Sequence, residues 1–142
     1  MAISINFVFM DFEKMFLIDT HYLIWDMAAH PIYSKKTEEL FSEFEGQCYY
    51  SSISYWEIGM LIGKGRLKMN SSISQFFQDL ERKSKIKALH ITPEIGDYVK
   101  QFVHEINGDP ADRILVATAM VHRAILVTAD ENLKSLSFID TL

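Results

Sequence analysis

Apolar runs of strand length alternate along this chain with longer stretches in which apolar residues recur every three or four positions. That alternation predicts strands separated by helices, and so a parallel α/β sheet. Phe16-Leu17-Ile18 predicts a buried strand, followed by a helix from about His21 to Ala29 that Pro31 ends. Ser34 to Phe44 predicts a second helix, with Leu40, Phe41 and Phe44 at helical spacing and Gly46 just past its end. Cys48-Tyr49-Tyr50 predicts the next strand, and Ser54 to Gly63 a helix stopped by Gly63-Lys64-Gly65. Ile73, Phe76, Phe77 and Leu80 form one stripe of a helix over Ser72 to Lys83.

The pattern continues with a short strand over Lys87 to Ile91 and a helix over Pro93 to Ile106. Pro110 to Arg123 predicts the strongest helix, Ile125-Leu126-Val127 the most hydrophobic strand, and a short helix begins near Asp130. Phe138-Ile139 is a candidate edge strand, so the sheet has four or five strands. Met1–Lys14 stands outside the pattern. It reads as an N-terminal extension, an extra strand, or an upstream start preceding Met15, which leaves residues 15–142 as one domain.

Composition narrows the class. At 142 residues the chain has room for one core and no internal repeat or linker divides it. With 49% hydrophobic, 13% aromatic and 23% charged residues, it is not a disordered chain. The formal charge of −5 argues against coating nucleic acid by bulk positive charge, while leaving room for local basic patches. A single cysteine, Cys48, allows neither an internal disulfide nor a thiolate metal site, and no apolar run reaches spanning length. A cytoplasmic protein is the expectation.

The candidate chemistry lies in where four acids fall. Asp19 ends the first strand, Glu57 falls in the first turn of the helix after the second, Asp112 in the first turn of the Pro110 helix, and Asp130 just after Ile125-Leu126-Val127-Thr128. In a parallel sheet, strand C-termini and the N-termini of the following helices share one edge, where such folds place their sites. Each acid also has a local explanation. Ser54-x-x-Glu57 fits a capping box, Asp109 fits an N-cap before Pro110 and Asp112, and Asp19 and Asp130 can cap the helices they precede. Caps accept Ser, Thr, Asn or Asp almost equally, so four carboxylates at one edge exceed what capping requires. Clustered carboxylates repel unless a cation neutralises them, and an all-oxygen set suits Mg²⁺ or Mn²⁺. Such a site activates water and stabilises charge at phosphorus, the requirement of phosphodiester hydrolysis.

Other chemistries fail on named residues. A haloacid-dehalogenase phosphatase needs a second Asp two places after Asp19, where His21 stands, and a response-regulator receiver needs a phosphoacceptor Asp where Ser51-Ser52 stands. There is no phosphate-cradling glycine loop, Gly-x-Ser-x-Gly or His-Glu-x-x-His. The histidines show no ligand spacing, and Cys48 reads as a small core residue.

Four segments carry a resemblance: Leu17-Ile18-Asp19-Thr20-His21-Tyr22-Leu23-Ile24-Trp25, Ser52-Ile53-Ser54-Tyr55-Trp56-Glu57-Ile58, Asp109-Pro110-Ala111-Asp112-Arg113-Ile114-Leu115-Val116-Ala117-Thr118-Ala119 and Leu126-Val127-Thr128-Ala129-Asp130. In this order and spacing, over Phe16–Leu142, the chain resembles the PIN-domain nucleases, and within them the VapC-type toxins of bacterial toxin–antitoxin pairs. The resemblance implies a three-layer α/β/α fold and Mg²⁺- or Mn²⁺-dependent cleavage of single-stranded RNA, often in a tRNA loop. It implies Asp19, Glu57, Asp112 and Asp130 as the acids that bind one or two ions, with Thr20 orienting Asp19 and Thr128 orienting Asp130. Asn132 is implied as a contact to bound water or RNA, and Asp109 first as a helix cap, then as an outer acid.

The resemblance further implies a small antitoxin partner that blocks the site, in a homodimer or a toxin–antitoxin hetero-oligomer. Met60, Leu61, Leu67 and Phe44 are the apolar candidates to face it. For RNA, the basic runs Gly63-Lys64-Gly65-Arg66-Leu67-Lys68 and Arg82-Lys83-Ser84-Lys85-Ile86-Lys87 are phosphate candidates, with Lys64, Arg66, Lys68 and Arg113 singled out. Tyr22, Trp25, Tyr55 and Trp56 flank the acids and are candidates to stack unpaired bases, with core packing the expectation for Trp25 and Trp56. The competing class is a PIN-like module that binds RNA or protein without catalysis.

Overall fold

The computed structural model describes residues 14–27, 33–102, 104–106 and 108–142. The proposed extension, apart from Lys14, and the stretch with Ala29 and Pro31 lie outside the described residues. The elements run in the order β1 (Phe16–Ile18), α1 (Thr20–Met27), α2 (Tyr33–Glu43), β2 (Cys48–Ser51), α3 (Ile53–Gly63), α4 (Ile73–Ser84), β3 (Lys87–Leu89), α5 (Pro93–Val99), α6 (Pro110–His122), β4 (Ile125–Val127) and α7 (Glu131–Lys134). The four strands pair in parallel in the order β3-β2-β1-β4. This is the expected three-layer α/β/α architecture.

The strands are short and apolar on both faces because both faces are covered. Phe16, Ile18 and Val127 point into one core with Leu23, Leu40, Phe41, Ile58, Phe77 and Leu80 from α1 to α4. Leu17 and Leu126 point the other way, onto Ile95, Leu115, Val116 and Leu133 from α5, α6 and α7. The period-two alternation thus assigns each strand residue to one layer. Full burial of a Leu or Ile contributes about 1.5–3 kcal/mol, and Leu17, Ile18 and Leu126 are wholly buried.

Two elements differ from expectation. The helix over Pro93 to Ile106 keeps regular form only through Val99. Phe102 and Ile106 are buried as the spacing predicts, but the chain reaches them through turns. Outside a helix the Ile106 carbonyl is free to accept the Arg113 Nε–H at 3.0 Å, which ties this turn to α6. At the C-terminus the sheet contact falls beyond Phe138-Ile139: Thr141 forms a parallel bridge with Leu126. Backbone bonds from Leu126 N–H to Asp140 and from Leu142 N–H to Leu126 hold it there.

β1 lies between β2 and β4, so the strand order reverses beside it. In open parallel sheets the crevice outside the strand C-termini at such a reversal is the usual site. Asp19 and Asp130 leave the sheet on either side of that crevice, and the Asp19 N–H donates to the Val127 carbonyl at 2.9 Å.

Candidate active site

Asp19 follows the last residue of β1 and is buried to 6% exposure. Three donors approach its carboxylate. The backbone N–H of His21 donates to Oδ1 at 3.2 Å, His21 Nδ1 lies 3.4 Å from the same oxygen, and Thr128 Oγ1 donates to Oδ2 at 2.7 Å. Thr128 also accepts the Asp130 N–H at 3.1 Å, so one hydroxyl links both strand ends.

Glu57 comes from α3 and is buried to 8% exposure. Thr20 Oγ1 donates to its Oε1 at 2.6 Å, and Thr20 Oγ1 and Ser54 Oγ are 2.6 Å apart. Each hydroxyl has one proton, so with Thr20 committed to Glu57, Ser54 is the donor in that second bond. Burial pushes Glu57 up to about 7, reinforced by the charges of Asp19 and Asp109 and opposed by the Thr20 bond and His21.

Asp112 sits in the first turn of α6. Burial, then the charges of Asp19, Asp109 and Asp130, raise it to about 6. Asp130 precedes α7 and its Oδ1 accepts the N–H groups of Asn132 at 2.8 Å and Leu133 at 3.3 Å. His21 is raised, first by its bond to Asp19 and then, against the effect of burial, by the charges of Asp19, Glu57 and Asp112. The four acids therefore share one electrostatic field although they come from four segments. Among the described residues no three His, Cys, Asp or Glu side chains form a preassembled ion cage. Glu57 Oε1 is turned to Thr20, and the raised carboxyls of Glu57 and Asp112 are those that a cation would return to the ionised form.

Two clefts flank the cluster. One of about 230 Å³ is lined by Asp112, Asp130 and Asn132 together with Glu105. The other, of about 410 Å³, is lined by Glu57, His21 and Asp109 together with Trp56, Met60, Lys64 and Arg66.

The PIN domain family model matches residues 16–139. The chain belongs to the PIN domain family. Over 119 residues it is 28% identical to Ribonuclease VapC22 of Mycobacterium tuberculosis, covering 84% of this chain and 89% of that protein. Among solved structures, the VapBC2 complex of Rickettsia felis bound to a promoter DNA fragment aligns with TM-score 0.67 at 16% identity, over 91% of this chain and 98% of that one. A toxin–antitoxin complex from Klebsiella pneumoniae aligns with TM-score 0.63 at 20% identity, over 89% and 94%. At these identities the structures show a shared fold.

In this PIN domain several residues stand otherwise than their local sequence suggests. Glu57 lies past the first turn of α3, and no capping box forms: the N-cap is Ser52, whose hydroxyl accepts the Ile91 N–H rather than capping the helix, and the Ile53 N–H donates to Ser51 Oγ. Thr128 donates to Asp19, the partner expected of Thr20, while still accepting the Asp130 N–H, and Thr20 donates instead to Glu57. Asp109 is the N-cap of α6, accepting the Ala111 N–H at 3.0 Å, and it also lines the larger cleft. Arg113 is turned to the Ile106 carbonyl, and Lys68 lines a separate cleft with Met27 and Phe76, so only Lys64 and Arg66 of the four basic candidates border the acids.

Trp56 is 47% exposed, against the core packing expected of it. α3 is apolar nearly all round, so periodicity does not distinguish its faces. The polar residues Ser54 and Glu57 take the buried side, which turns Trp56 and Met60 outward. Of the other aromatic candidates, Tyr22 is buried, Trp25 is half-buried, and Tyr55 packs edge-on against Phe77 with its hydroxyl 2.8 Å from that of Tyr50. Leu67 and Phe44 pack against the core, while Met60 and Leu61 line the larger cleft. Glu105, in the smaller cleft, carries no sequence signal of its place, because nothing in its local pattern ties it to a strand end.

Proposed function

We propose that this PIN domain is an endoribonuclease that cuts single-stranded RNA or a tRNA loop with the help of Mg²⁺ or Mn²⁺, and that it is the toxin of a toxin–antitoxin pair. The observation that carries this reading is the set of four acids from β1, α3, α6 and the end of β4 in one field at the strand-order reversal, in a chain of this family. Asp19, Glu57, Asp112 and Asp130 would hold one or two ions. A divalent cation there supplies an activated water and offsets negative charge at phosphorus.

The chain's own residues do the positioning. Thr128 fixes the rotamer of Asp19 and the backbone of Asp130 together, so the two strand ends present their carboxylates as a unit. Thr20 and Ser54 fix Glu57 against α1. Asn132 reaches the smaller cleft, and Lys64 and Arg66 supply positive charge at the larger one. Without bound cations the raised Glu57 and Asp112 keep part of their protons near neutral pH, which limits the self-repulsion of the empty cluster.

The relative and the aligned complexes support the toxin reading, and a small antitoxin that covers the larger cleft would silence the enzyme in a hetero-oligomer. No helix among the described residues is long and apolar enough to cross a membrane, and action on RNA fits a cytoplasmic site.

The test is cleavage of tRNA and of unstructured RNA by protein freed of any partner. Activity should require Mg²⁺ or Mn²⁺, stop with EDTA, and vanish in Asp19→Asn and Asp112→Asn while both variants remain folded. Cleavage that persists in both would refute the metal-site reading, and RNA binding without cleavage by the unaltered protein would favour a silent binding module.

A further inference from the structure

The larger cleft contains groups that ion binding does not call for. Trp56, Met60 and Lys64 are spaced at i, i+4 and i+8 along α3 and its C-cap and form one row on the outer side. Behind it, Glu57 and Leu61 form the inner row of the same cleft. An exposed tryptophan thus stands one residue from a buried acid of the site. A second cation is then brought in by the turn that ends the helix. Gly65, at φ +71°, reverses the chain so that the Arg66 N–H donates to the Leu61 carbonyl at 2.9 Å, which sets Arg66 on the cleft wall. Among the described residues neither Lys64 nor Arg66 forms an ion pair. Asp109 and Glu57 are the opposing charges on the wall, and both lie toward the acid cluster.

Resting on the nuclease reading, we propose that Trp56 is the stacking platform for one unpaired base beside the scissile phosphate, with Lys64 and Arg66 holding the phosphates of that same stretch. Several features select a nucleic-acid strand over an apolar protein face. The row mixes one large ring with two cations, the ring is open to solvent, and the cleft leads directly to the acids. A π-face takes any base but only when it is unstacked, so the platform selects strands that are single at that nucleotide. Trp56 is therefore a specificity-determining residue, and the enzyme prefers a loop or tail that is unpaired at that position.

The experiment uses short single-stranded RNA with one cleavage site and copies in which each neighbouring nucleotide in turn is abasic. Trp56→Ala should lower kcat/KM on the intact strand roughly tenfold, mostly through KM, with Trp56→Phe recovering most of the loss. One abasic position should cost the unaltered protein a similar factor and cost Trp56→Ala nothing further. In an Asp112→Asn background, RNA should quench tryptophan fluorescence, and Trp56→Phe should abolish that quench. An abasic penalty that is equal with and without Trp56, a quench that survives Trp56→Phe, or a change of mass in partner-free Trp56→Ala pointing to an interface between copies of this chain would each overturn the proposal. If cleavage occurs without this coupling, only the platform fails; if the coupled quench occurs without cleavage, the nuclease reading fails and the platform stands.

Discussion

Thr128 and Asp19 stand 109 positions apart in the chain, yet the hydroxyl of one donates to the carboxylate of the other at 2.7 Å, in the buried seam between β4 and β1. The bond exists because parallel pairing brings the two strand ends level, with Ile18 opposite Val127. Replacing Thr128 with Val keeps the shape but leaves a buried carboxylate oxygen and the Asp130 N–H without their partner. The expected cost is about 1–3 kcal/mol in denaturant unfolding. A loss of cleavage beyond what unfolding accounts for should accompany it, while Thr128→Ser retains most of both. Equal stability in Thr128→Val would show that the bond contributes nothing.

Glu57 and Asp112 predict a pH dependence of stability in metal-free protein. Their folded pKa values, about 7 and about 6, lie above the ordinary carboxylate values of 4.5 and 3.8. A group that holds its proton more tightly when folded loses stability as pH rises from the unfolded value through the folded one. Unfolding free energy should therefore fall between about pH 4 and pH 7 and level off above it. Glu57→Gln should flatten the upper part of this slope and Asp112→Asn the lower part. A metal-free protein whose stability rises across that window in urea titrations would contradict the burial of both groups.

The positions of Asp19, Asp112 and Asp130 are legible from short-range pattern alone, because each sits within a few residues of an apolar strand or a Pro-marked helix start. What pairs with what is not. Thr20 and Thr128 each follow or end a strand, and local sequence assigns each to its adjacent acid. Which hydroxyl reaches which carboxylate depends on β1 lying between β2 and β4 and on α3 crossing α1, relations set by the whole fold. The orientation of α3 fails for a related reason. In a helix as apolar as Ile53–Gly63, hydrophobicity does not choose the inner face, and the choice falls to Ser54 and Glu57 through bonds to Thr20, a residue distant in the chain.

Divalent cations should stabilise the fold as well as activate it. At a hundred times its dissociation constant an ion adds about 2.7 kcal/mol, visible as a rise in Tm. Because Glu57 and Asp112 keep part of their protons near neutral pH, binding should release protons, and affinity should fall as pH drops below about 7. Calorimetry of Mn²⁺ binding in buffers of different ionisation enthalpy measures the release. Asp19→Asn should remove both the Tm rise and the proton release; a Tm rise that survives that substitution would locate the ion elsewhere.

Two glycines at the end of α3, Gly63 and Gly65, should respond to substitution with opposite sign. Gly65 has φ +71°, a conformation that any side chain strains, although no atom lies within 4 Å of where a Cβ would stand. Gly65→Ala should cost about 1 kcal/mol and, by shifting Arg66, weaken RNA binding at low salt. Gly63 ends α3 without a positive φ and with open space around it, so Gly63→Ala should be neutral or stabilising by about 0.5 kcal/mol. Thermal unfolding of the pair checks this, and equal effects would show that the turn relaxes around Gly65.

Asp130 has two roles that one substitution can separate. Its Oδ1 caps α7 through Asn132 and Leu133, and its charge helps to raise Asp112. Asparagine keeps the capping oxygen and caps nearly as well as aspartate, but it carries no charge to offer a cation. Asp130→Asn should leave stability within about 0.5 kcal/mol and lower Asp112 toward its ordinary value, while cleavage falls by more than roughly 100-fold, beyond the loss typical of residues that only support a ligand. Asp130→Ala should add a capping loss of about 1 kcal/mol to the same catalytic defect. If Asp130→Asn cuts RNA at the full rate and only Asp130→Ala is impaired, the residue is a helix cap, and the ions are held by Asp19, Glu57 and Asp112 alone.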